Sequence, residues 1–123
     1  MITFDTGALI ALERGRDRML RVVRAAEQTA TPIVVPSVAL AEWWRGRPSR
    51  RMALLLAGVT IESVGEALAA AAGEAMAAVP DATTVDAIVM ASAARRGGVV
   101  YTSDVSDLQR LQRHFRSVRI LAT

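Results

Sequence analysis

Cysteine is absent from the 123 residues, lysine is absent too, and histidine occurs once, at His114. Without cysteine there is no disulfide framework and no thiolate-bound zinc or iron site. Without lysine there is no P-loop, whose Lys must reach the phosphates, and no Schiff-base chemistry. A single His leaves little material for a hydroxyl–imidazole–carboxylate triad. No uninterrupted apolar run reaches the ~18 residues of a membrane span, and no basic-then-apolar leader precedes the first apolar segment. The expectation is a soluble, cytoplasmic protein with no membrane partner. Carboxylates, hydroxyls and arginine remain for chemistry. Fifteen basic residues, all Arg, face 12 acids and give a net charge of +3.

What is present is patterned. The length suits one domain, 1–123, and 52% of the residues are apolar, enough for a real core. The opening Ile2-Thr3-Phe4 run ends on Asp5, and an apolar helix-like stretch starts at once behind it. This predicts a β-α unit with Asp5 at the carboxyl end of a buried strand and Thr6 as the helix cap. Further strands are predicted at Ile33–Val35, Val59–Val64, Val99–Tyr101 and Val118–Leu121. Between them lie helices over Met19–Thr29, from Ser37 as its cap, over Arg50–Ala57, over Gly65–Val79, over Thr83–Arg96 and over Asp107–Arg113, the last capped by Ser106. Short apolar strands separated by helices argue for an α/β fold with a mainly parallel five-stranded sheet covered on both faces.

Four acids fall at telling places. Asp5 ends the first strand, Glu42 lies one turn into the Ser37 helix, Asp86 opens the Thr83 helix, and Asp104 follows the Val99–Tyr101 strand, with Asp107 three residues on. Strand carboxyl ends and helix amino ends face the same rim of a parallel sheet, so these groups can converge. Each also has a plainer reading: Asp5 as a turn or cap residue, Asp86 as the acid of a capping box, Glu42 as a solvated helix residue, Asp104 and Asp107 as first-turn acids. Together they are harder to dismiss. Two carboxylates ~5 Å apart repel by roughly 3 kcal/mol at an effective dielectric near 20. Such a group either keeps protons or collects a hard cation, and an oxygen-only site suits Mg²⁺ or Mn²⁺.

The order and spacing of these pieces resemble the PIN-domain ribonucleases, and more narrowly the VapC toxins of type II toxin–antitoxin pairs. The shared features are a first strand ending in Asp5-Thr6, Glu42 on the helix after the second strand, D-A-x-x-x-A-x-A from Asp86 to Ala93, and T-x-D-x-x-D at Thr102, Asp104 and Asp107. Leu108 departs from the aromatic residue often seen at that place. The resemblance implies a three-layer α/β/α fold and a catalytic metal site of Asp5, Glu42, Asp86 and Asp104, supported by Thr6, Thr102 and Asp107. It also implies RNA cleavage, homodimerisation and a cognate VapB-like antitoxin.

Arg45, Arg47, Arg50 and Arg51 form the densest basic stretch and are the expected RNA-binding residues, while Arg14 to Arg24 read as a solvated helix face. Trp43 and Trp44 point to different sides of one helix, so at most one belongs to the deep core. Asp17, Asp81 and the remaining Glu residues read as surface. Two other classes stay open. One is a phosphate-handling α/β domain of receiver or phosphatase type, which also uses a strand-end Asp but normally adds a Lys. The other is a binding module without catalysis.

Overall fold

The Ile2–Phe4 segment is strand β1 and stands at the centre of a parallel sheet, between β2 (Ile33–Pro36) and β4 (Val99–Thr102). β3 (Thr60–Glu62) extends the sheet beyond β2, and β5 (Arg119–Ala122) extends it beyond β4, giving the order β3-β2-β1-β4-β5. Ile2 is in register with both Ile33 and Val99, and Thr3 with Val34 and Val100. The computed structural model describes residues 1–46 and 49–123; Arg47 and Pro48 lie outside the described residues.

Among the described residues, seven helices cover the two faces. α1 (Thr6–Glu13), α2 (Asp17–Gln28), α3 (Ser37–Trp44) and α4 (Arg50–Ala57) enclose one core with Phe4, Ile33 and Val35. α5 (Glu66–Ala78), α6 (Thr84–Ala94) and α7 (Val105–Gln112) enclose the other with Val100 and Val118. The strands read as continuous apolar runs because both faces are covered; all of Ile33–Pro36 is buried. Along β1 the period of two divides the work. Ile2 and Phe4 pack into the α1 side, and Thr3 turns to α6, where its hydroxyl accepts from Arg96 Nη2 at 3.4 Å. α6 is buried all round from Ala87 to Ala93, as expected for a helix with no polar face. On α7, buried Leu108 and Leu111 anchor the helix and so fix the direction of its acids; truncating either to Ala would cost about 2–5 kcal/mol.

The expected helices form, with corrections at several starts; α2 begins at Asp17 rather than Met19. Asp5, not Thr6, caps α1: its Oδ1 accepts from Ala8 N at 2.8 Å, and Thr6 is already helical. Pro36 stands at the cap position of α3, and Ser37 is its first residue. α7 begins at Val105 rather than Asp107, because the Thr102 hydroxyl accepts from Asp104 N at 2.9 Å and turns the chain early; Ser106 is therefore inside the first turn. Gly58 ends α4 at φ −93, so it serves without a left-handed backbone. Two glycines are required by space: a Cβ on Gly98 would stand 2.7 Å from the Met1 carbonyl oxygen, and Gly7 is the other. A Cβ on Gly7 would stand 2.7 Å from Ser103 Oγ and 3.1 Å from Ser103 N, so only glycine lets α1 press against the loop after β4.

Candidate active site

The strand order reverses between the parallel neighbours β1 and β4, and the carboxyl ends of these two strands open onto a cleft of about 340 Å³. Asp5, Glu42, Asp86, Asp104 and Asp107 all line it, together with Thr6 and Thr83, and no basic residue is among its described lining residues. Side chains from Asp5 at one end of the chain to Asp107 near the other thus meet at one rim. β1 and α1 carry Asp5 and Thr6, α3 carries Glu42, α6 carries Asp86, and the β4–α7 turn carries Asp104 and Asp107.

Each acid is held differently. Asp5 is 6% exposed and is fixed by its bond from Ala8 N. Thr102, fully buried beneath it, ties β4 to Asp104. The Thr6 hydroxyl donates to Glu42 Oε1 at 2.6 Å, which orients an otherwise exposed carboxylate and couples α1 to α3. Thr83 caps α6 by accepting from Asp86 N at 3.2 Å and leaves the Asp86 carboxyl half-buried in the cleft. Asp104 occupies the cap position of α7 but its side chain makes no cap bond. Asp107 pairs with Arg110, one turn along α7.

Electrostatics mark the cleft. Burial pushes the Asp5 carboxyl up to about 6 from 3.8; Thr102 and the Ala8 N–H pull it down in part, and Asp86 and Asp104 push it up further. Burial also raises Asp86, offset by Thr83 and reinforced by Asp107, Asp104 and Glu42. Among the described residues no three acids are gathered round one point at metal-holding distance. The donors share a cleft without forming a closed cage, since Glu42 is drawn to Thr6 and Asp107 to Arg110. In kind they fit a hard divalent cation: oxygen ligands only, negative charge in excess, and two carboxyls whose ionisation is opposed until positive charge arrives.

The arginines expected to meet RNA are dispersed. Arg45 takes a left-handed backbone, φ 38, and its Nε donates to Glu42 O at 3.0 Å, closing α3. Arg50 is exposed on α4, Arg51 Nη2 lies beside Gly15, and Arg47 is outside the described residues. Trp43 is buried and donates to Glu13 Oε2 at 2.6 Å, whereas Trp44 is 41% exposed. Glu13 and Glu62, expected at the surface, are both engaged. Glu62 accepts from Ser92 Oγ at 2.6 Å and from Arg96 Nη1 at 2.7 Å across the sheet edge. No local pattern announces that pairing. His114 is exposed just beyond α7. Among the described residues, no helix is long and apolar enough to cross a membrane.

A doubly covered parallel sheet with four acids free of ion pairs at its switch point, among the described residues, defines an α/β protein whose site is suited to a cation or a phosphate. Similarity to known proteins makes that class specific. The PIN domain family model matches residues 2–113, and the chain belongs to that family. PIN domains are generally nucleases that use divalent metal ions. A solved structure of FitAB bound to an IR36 DNA fragment is similar over 99% of this chain and 94% of that one, with a TM-score of 0.70 and 16% identity. No curated protein matches the sequence.

Proposed function

We propose that the protein is a Mg²⁺-dependent endoribonuclease, with Mn²⁺ as a substitute ion, and the toxin of a VapBC-type pair. The observation that carries this reading is the meeting of Asp5, Glu42, Asp86 and Asp104 in one cleft that holds no base among its described lining residues. These four would hold the ion, and Thr6, Thr102 and Asp107 would support them. A bound divalent ion supplies a nucleophilic water at neutral pH and stabilises charge on the phosphate.

The chain's own residues do the positioning. Thr6 points Glu42 into the cleft, the α1 amino end fixes Asp5 through Oδ1, and Thr102 sets the turn that presents Asp104. The basic excess of the chain offsets the repulsion between an acidic cleft and a polyanion. The neighbour's association with DNA, as the FitAB structure describes it, supports a partner that brings the complex to nucleic acid. A VapB-like antitoxin and a homodimer of this chain follow from the same reading. Incubating the protein with RNA and Mg²⁺ or Mn²⁺ tests it: internal cleavage that ends with EDTA or with Asp5→Asn is expected. RNA left intact by the wild type, or cut by Asp5→Asn and Asp86→Asn as fast as by the wild type, overturns it.

A further inference from the structure

The acidic cleft does not end at its own walls. Thr6, Gly7, Glu42 and Asp104 also line a second hollow of about 370 Å³ that carries Arg14, Arg16 and Ser103. Arg14 and Glu42 in turn line a third, of about 300 Å³, with Trp43, Trp44 and Arg45. Shared residues place the three hollows side by side along one surface groove. It leads from the acids, past the turn joining α1 to α2, to the end of α3.

Arginines enter the groove beyond the acids, and the third hollow also carries Glu13, whose carboxylate is held by the Trp43 indole. Beyond Glu42, Arg14 and Arg16 flank Gly15, whose φ of 71 turns the chain so that both side chains serve the same hollow. Arg51 reaches the same turn from α4, with Nη2 3.2 Å from where a Cβ on Gly15 would stand. Among the described residues, none of these three guanidinium groups is in an ion pair. Further on, the Trp44 indole is 41% exposed while its neighbour Trp43 is locked by Glu13. Arginines followed by an open indole match the two faces of a single strand, phosphate and base.

We propose that this groove holds the single-stranded RNA on one side of the cut, with Arg14, Arg16 and Arg51 on its phosphates and Trp44 stacked on a base. The proposal rests on the nuclease reading for its substrate, yet it makes a binding claim that stands apart from cleavage. Arg14 and Arg16 then belong to the substrate track, not to a solvated helix face.

The test measures binding of a short fluorescent single-stranded RNA to the full chain carrying Asp5→Asn, in EDTA, over a range of salt. Adding Arg14→Gln and Arg16→Gln should weaken binding tenfold or more and reduce the salt slope by about 1.4, or about 0.7 for each phosphate no longer neutralised. Trp44→Ala should weaken it about fivefold or more, with Trp44→Phe restoring most of the affinity. Arg24→Gln with Arg116→Gln removes equal charge elsewhere and should change binding less than threefold. Unchanged affinity and slope in the Arg14/Arg16 variant, or an equal loss in the control, overturns the groove. So does intact RNA binding combined with loss of dimer in sedimentation, which would assign the groove to a second copy. Wild-type cleavage distinguishes the two readings: RNA cut normally beside an unaffected Arg14/Arg16 variant defeats only the groove, and no cleavage beside weakened binding defeats only the nuclease.

Discussion

Glu62 and Asp5 are carboxylates near the ends of strands in the same sheet, and the fold treats them in opposite ways. Burial pushes Glu62 up, but Ser92 and Arg96 pull harder, with Arg95 assisting, and its carboxyl ends below the ordinary 4.5. Asp5 has a hydroxyl and one backbone N–H for company and is left at about 6. The first arrangement is closed: acid, hydroxyl and guanidinium satisfy one another, and only Arg96 Nε, among the described residues, stays buried without a partner. The second is open, with five acids and no base among the described lining residues. Of the chain's 15 arginines, only Arg110 pairs with a cleft acid, Asp107, among the described residues. Paired acid is architecture; unpaired acid waits for charge from outside.

The contrast is most exposed in activity. Asp86→Asn should lower RNA cleavage about a thousandfold or more, equivalent to about 4 kcal/mol of barrier, while circular dichroism stays native. Glu62→Gln should leave kcat within a few-fold of wild type. Equal losses in both variants would mean that the cleft holds no special chemistry.

Stability comes next, and there the signs are opposite. Moving Asp5 from 3.8 to about 6 amounts to about 3 kcal/mol. A raised pKa means that the folded protein binds the extra proton: the contribution is complete below 3.8 and is lost as pH rises to about 6. Urea unfolding in EDTA should therefore show stability falling across that window, and Asp5→Asn, which keeps the cap, should flatten the fall and unfold later at pH 7. Asp86 adds to the same trend. Glu62 works the other way: its contribution is present above 4.5 and drains away as pH drops below that value.

Arg96→Met opens the closed network. Breaking a fully buried pair costs about 3–5 kcal/mol; with the partners 16% and 18% exposed, a loss of about 2–3 kcal/mol is expected in thermal or urea unfolding. Adding Glu62→Gln to Arg96→Met should recover part of it, because the stranded charge is then gone. No recovery would mean that packing of the Arg96 stem, not the ion pair, holds that edge.

These differences follow what the chain discloses locally. The strands are legible because Ile33-Val34-Val35 and Val99-Val100 are apolar runs that only a doubly covered sheet can bury. The cleft acids are legible because each stands where a strand ends or a helix begins, and topology brings such ends together. Helix starts differ from expectation by a residue or two at Thr6, Ser37 and Ser106. There, neighbouring groups compete for one cap, and a bond from another element, such as Thr102 to Asp104, decides. The Glu62–Ser92–Arg96 network is out of reach of the sequence, since a pairing across 34 residues leaves no periodic trace. Arg14 and Arg16 are solvent-exposed as expected, but they stand in the turn between α1 and α2 and line a hollow beside the acids, a placement that only the fold discloses.

The smallest effect sharpens the contrast between Glu62 and Asp5 furthest, because it asks whether the open acids accept a cation at all. An ion that binds only the folded protein stabilises it by about 1.4 kcal/mol at ten times its Kd and about 2.7 kcal/mol at a hundred times. Thermal unfolding with added Mg²⁺ or Mn²⁺ should move upward by several degrees in the wild type and in Glu62→Gln. It should move little in Asp86→Asn, and in Asp5→Asn the gain from removing the charge should replace the gain from the ion. The two stabilisations draw on the same repulsion, so they cannot add; a double gain in Asp5→Asn with Mg²⁺ would place the ion at acids other than these.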